Sequence, residues 1–135
     1  MKTTKIWANL AVKDVERTAA FYTSLGITPN KPPHITPDLT SFLFGDEDFV
    51  IHFFKEERLQ ASMNGNVADL QKGNEVIFSL SATSEEEVKD WAAKVKAAGG
   101  TIIKEAGRQE DGYFYCVFAD PDGHKFNVLL IEEGM

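Results

Sequence analysis

One order of hydrophobic patterns is written twice along this chain, and that repetition restricts the fold more than any other feature. Residues Lys5 to Val12 alternate, with Ile6, Ala8, Leu10 and Val12 on one face and Trp7, Asn9 and Ala11 on the other, the period of a strand. Asp14 can cap a helix, and Val15, Ala19 and Tyr22, joined by Phe21 and Leu25, follow at helical spacing until Gly26. Pro32, Pro33 and Pro37 make the next stretch loop or edge, after which Thr40 to Phe44 and Phe49 to Phe54 read as strands joined by a turn at Gly45 to Asp48. From Glu75 the order returns. Glu75 to Ser81 alternates, Ser84 with Glu87 forms a capping box, and Val88, Trp91, Ala92 and Val95 make an apolar stripe that stops at Gly99 and Gly100. Thr101 to Lys104, Tyr113 to Phe118 and Lys125 to Ile131 are three further strands, the last two joined by Asp120, Pro121, Asp122 and Gly123. The expected fold is α+β. It has two βαβββ modules, 1–54 and 75–135, packed as equivalent units in one domain over 1–135, with the aperiodic 55–74 as a linker or irregular flap.

Composition narrows the function classes. A chain of 135 residues with 43% hydrophobic and 26% charged side chains can bury an ordinary core. It carries 21 acidic against 14 basic residues, a formal charge of -7, and no basic run longer than two, so nucleic acid is not an expected partner. One cysteine cannot close an internal disulfide, and no stretch reads as a signal peptide or membrane span, so the expectation is a cytoplasmic protein that does not engage a membrane.

Val12-Lys13-Asp14 followed by Phe21-Tyr22 and Leu25-Gly26 in the first half, and Gly99-Gly100 with Asp120-Pro121-Asp122-Gly123-His124 in the second, resemble the vicinal oxygen chelate superfamily. That superfamily includes glyoxalase I, extradiol dioxygenases and bleomycin-binding proteins. The resemblance implies a curved, cup-like mixed sheet and pairing into a homodimer. In metal-using members it implies four ligands, one from the first and one from the last strand of each module, around a divalent ion that chelates substrate oxygens.

Carried onto this chain, the first implied ligand place falls on Trp7, whose indole has no lone pair for a metal. His52 and Glu75 fall on the second and third places and are the candidate catalytic and metal-binding pair. The fourth falls on Asn127, where relatives usually have Glu. Two strong donors of four leave a weak or lost metal site: at most a loosely held divalent ion completed by substrate oxygens, or none. Other readings stand beside these. His52, flanked by Phe49, Ile51, Phe53 and Phe54, is equally a core histidine hydrogen-bonded to backbone, and Glu75 is equally a solvated strand end. Trp7 fills the space of a metal or offers a stacking platform. Asn9, on the same face, is expected as a hydrogen-bonding wall, and Tyr113 and Tyr115 as aromatic lining. His34 and His124 are expected in solvent-exposed loops, and Cys116 as an inert buried side chain. Two function classes follow: a metal-dependent lyase or dioxygenase of glyoxalase type, or a non-catalytic protein that binds and sequesters an organic molecule.

Overall fold

The computed structural model describes all 135 residues and divides them into two units, Met1–Asp69 and Leu70–Met135. The first unit contains β1 (Ala8–Val12), α1 (Val15–Ser24), β2 (Thr28–Pro29), β3 (Leu39–Phe44), β4 (Phe49–Lys55) and α2 (Glu56–Met63). Its four-stranded mixed sheet has the order β1-β4-β3-β2, with β1 parallel to β4 and the other pairs antiparallel. The first and last strands of the module can be neighbours because α1 carries the chain back across the sheet.

Asp14 starts α1 by accepting a hydrogen bond from the Arg17 N–H at 3.1 Å, and Gly26, at φ +81°, turns the chain beyond its end. Between these stops α1 lays Val15, Ala19, Phe21 and Tyr22 against the sheet, all buried. Tyr22 is the centre of that core. Its ring stacks on Phe53 at 4.6 Å between centroids and meets Phe42 and Phe44 at 5.7 and 5.8 Å. Each such fully buried aromatic contributes about 2–3 kcal/mol by removal from water.

The second unit repeats the plan with β5 (Ile77–Ala82), α3 (Glu85–Ala98), β6 (Thr101–Arg108), β7 (Phe114–Ala119) and β8 (Lys125–Leu130). Its sheet has the order β5-β8-β7-β6, again with the first strand parallel to the last. The capping box forms only in part, because the return bond of Glu87 goes to Thr83 and not to the N–H of the cap residue Ser84. Ser84 Oγ accepts from the Glu87 N–H, and Glu87 Oε2 accepts from both the N–H and the hydroxyl of Thr83 at 2.9 Å, which holds its carboxyl below the usual range. The helix side of this sheet is a ladder of rings: Trp91 of α3 stacks on Phe118 at 6.2 Å and Phe118 on Phe126 at 5.1 Å.

Three sequence expectations are corrected. The stretch 55–74 is not all linker, because Glu56–Met63 forms α2; its only buried residue is Leu59, so the helix leaves no apolar stripe in the sequence. Both opening strands begin later than alternation suggested, at Ala8 and Ile77, since Ile6 and Val76 alternate correctly but stand 76% and 55% exposed. And β6 runs on to Arg108 through two register shifts, where pattern alone ended it at Lys104.

Candidate functional site

Each sheet buries one face under its helix and leaves the other face to carry chemistry. In the first unit the register pairs Asn9 with His52 and His52 with Ser41, so these three side chains form a row on the face opposite Tyr22. Ser41 Oγ accepts a hydrogen bond from Asn30 Nδ2 at 3.0 Å. The His52 ring is half-buried, edge-on to Phe54 at 5.8 Å, and its Nδ1 is buried with no hydrogen-bond partner, which replaces the expectation of a histidine satisfied by backbone. Burial, and secondarily the Lys5 ammonium, push its pKa below the ordinary histidine value. The imidazole is therefore neutral at neutral pH and can accept a proton or hydrogen bond. Trp7 lies one residue before β1 and is 50% exposed, so no strand partner fixes its ring.

In the second unit the open face forms a hollow of about 580 Å³. Glu75, Tyr113, Tyr115 and Asn127 line it, joined by Asn74, Lys104, Asp111 and Lys125 and by the apolar Ile77, Val117 and Leu129. Tyr115 donates its hydroxyl to Asp111 Oδ2 at 2.9 Å, and the Tyr113 N–H donates to Oδ1 at 3.0 Å. Chiefly the Tyr113 bond holds the Asp111 carboxyl below its usual pKa range. Lys104 Nζ stands 3.5 Å from the Tyr115 hydroxyl and 5.5 Å from the ring centroid. At the other rim Lys125 donates to Asn74 Oδ1 at 2.6 Å, and Asn74 Nδ2 donates to the Gly123 carbonyl at 2.9 Å. Asn127 sits in the floor between Ser79 and Val117, its Oδ1 buried and without a partner. Glu75 precedes β5 and is an exposed rim residue.

The donor sets do not fit a tightly held divalent ion in either unit. The first offers His52 with Asn9 and Ser41, the second the carboxylates of Glu75 and Asp111 with Asn127 and two phenols, and in neither do three His, Cys, Asp or Glu side chains gather. Zinc needs three such ligands, and a facial iron site two His and a carboxylate.

Neither remaining histidine is a free loop residue. His124 is 7% exposed, its Nδ1 2.8 Å from Oδ2 of the buried Asp120, whose Oδ1 accepts from the N–H groups of Asp122 and His124. The partner four residues upstream draws the ring inward and closes the turn. His34 is half-buried beside Phe42, its carbonyl accepting from Ser41 N–H and the Thr40 hydroxyl. Cys116 is buried, and desolvation raises its thiol pKa. Sequence reasoning missed Lys104, Asp111 and Lys125 in the hollow. The available signal was the pair Gly107 and Gly112, flanking a hairpin rich in polar residues.

Comparison with known proteins gives the following. The model of the Glyoxalase/Bleomycin resistance protein/Dioxygenase superfamily matches residues 6–128. A hypothetical protein from S. aureus is similar at 30% identity and TM-score 0.84, over 97% of this chain and 96% of that one. A glyoxalase-related enzyme from Fulvimarina pelagi is similar at 22% identity and TM-score 0.81, over 96% and 89%. A bleomycin-binding protein, solved in complex with bleomycin, is similar at 21% identity and TM-score 0.62, over 96% and 100%. No curated protein matches the sequence.

Proposed function

The chain belongs to the glyoxalase/bleomycin resistance protein/dioxygenase superfamily, and on that premise we propose that it binds a small organic molecule on the open sheet face of its second unit without a resident metal ion. One observation carries the reading: Asn127 Oδ1 is buried in the floor of an apolar and aromatic hollow with nothing bonded to it. An unpaired buried acceptor costs about 1–3 kcal/mol, which a ligand donor would recover. Tyr113, Tyr115, Val117 and Leu129 supply the apolar contact and Asn127 the orientation, the usual division of labour in small-molecule sites. The bleomycin complex of a structural relative supports the same class of guest.

A second reading, a glyoxalase- or dioxygenase-type enzyme, is favoured by His52. Its neutral imidazole with an unpartnered nitrogen is suited to take a proton from a carbon acid beside a carbonyl, and the Glu75 carboxylate, in the other unit, is by itself a candidate for proton transfer at the rim of the hollow. In either case we take the chain to act as a homodimer, because both sheets end on unpaired edge strands.

Native mass spectrometry of protein purified without chelator, with metal analysis on the same sample, tests this. The expected result is a dimer mass, an organic adduct that leaves on denaturation, and far less than one metal ion per chain. Stoichiometric metal whose removal abolishes adduct binding would overturn the reading.

A further inference from the structure

The hollow has two ends of different chemistry. At one end is Lys104. The register runs Ile102 to Phe118, then Lys104 to Val117, then Gly107 to Tyr115, so β6 carries an extra residue on each side of Lys104. Such bulges re-aim side chains. Here they set the ammonium over the Tyr115 ring, near a hydroxyl already donated to Asp111. Asp111 lies within electrostatic reach of Lys104 without an ion pair closing between them, and the hydrogen bond the ammonium makes is the long one, 3.5 Å, to the Tyr115 hydroxyl. The ammonium thus keeps protons to donate into the hollow.

Across the floor from it is Asn127, in the same cross-strand row: Lys104 pairs with Val117, and Val117 with Asn127. Two strand spacings separate their backbones by about 10 Å. Val117 and Leu129 make an apolar floor that offers no hydrogen bond from its side chains. The other charges on this face are at the β5 and β8 rim, Lys125 bonded to Asn74 and Glu75 exposed.

We propose that the ligand is a flat organic anion with a hydroxyl at its far end, the anionic group taken by Lys104 and the hydroxyl by Asn127. This rests on the binding function above and names its substrate class. A charge of -7 on the chain disfavours anions at long range, so the preference comes from Lys104 at contact distance.

The probes are 4-hydroxyphenylacetate, its neutral amide and phenylacetate, titrated into 15N-labelled protein while the backbone amides of Val117, Asn127 and Leu129 are followed. The hydroxy acid should bind about tenfold or more tighter than the amide, the scale of a charge-assisted hydrogen bond. Lys104→Met should erase that difference and keep the preference for the hydroxyl, and Asn127→Leu should do the reverse. Lys104→Gln checks that the charge and not the stem is responsible, and amide dispersion of each variant reports its folding. An amide that binds as tightly as the acid overturns the inference, as does a preference that survives Lys104→Met. Either result leaves binding in the hollow standing. No response to any probe at millimolar concentration also overturns it, whereas the binding function itself is judged by the mass of the retained adduct.

Discussion

The two sheets are wound alike and used differently. Each places its first strand parallel to its last and roofs one face with a helix. On the roofed faces the solutions are equivalent, Tyr22 among three phenylalanines in one unit and the Trp91–Phe118–Phe126 ladder in the other. The open faces diverge. The first carries a row of small polar groups around a half-buried, unbonded imidazole, the second a hollow walled by tyrosines and entered by two lysines. The duplicated half of each sheet is therefore what folding needs, and the free half is where the two units separate in chemistry.

If the roofed faces are equivalent, removing their central rings should cost alike. Tyr22→Ala and Phe118→Ala should each lose about 4 kcal/mol in chemical denaturation, both side chains being fully buried. A loss below half of that at either site would break the symmetry. A smaller, one-sided effect is expected from the buried pair that only the second unit has. Asp120→Ala should cost about 3 kcal/mol, because it strips His124 Nδ1 and two backbone N–H groups of their acceptor. His124→Phe should lose less, and thermal melts of the two variants separate the cases.

The helix starts offer a finer contrast. Ser84→Ala removes the cap of α3 and should cost about 1 kcal/mol, and Asp14→Ala, the cap of α1, should match it. Smallest is the pH response of His52. Its folded pKa lies below the unfolded value, so the unfolded chain binds the proton more readily; the stabilisation is present above the unfolded pKa and is lost as pH falls below it. Proton NMR should find the midpoint under the ordinary 6.5. Lys5→Met should move it up by less than half the shift, since burial is the larger cause. A midpoint at or above 6.5 would mean that His52 is solvated and that burial does not set the first open face apart from the second.

How much could be read beforehand follows the same division. Strands and helices with one buried face declared themselves through period, and Asp14, Ser84 and Gly26 punctuate where caps and turns are found. α2 escaped because a single buried leucine makes no stripe. His124 was misread because a pairing across four residues looks, in sequence, like any turn. Lys104 escaped for a geometric reason: each bulge shifts the alternation by one, so a period-two reading loses track of which face it occupies. Asn127 and Tyr115, on regular strands, kept their faces.

The parallel pairing of first strand with last has a consequence for vectorial synthesis. The opening strand of each sheet has no neighbour in its own hairpin and waits for the strand made last, β4 ending at Lys55 and β8 at Leu130. A nascent chain released as far as Lys55 holds everything the first sheet requires. The second sheet stays open on the ribosome until its central β8 emerges, and until then β7, buried along its whole length in the finished protein, has an unpaired edge. An emerged segment that ends between Ala119 and Lys125 therefore leaves the β7 edge open, and one that extends past Leu130 can close it.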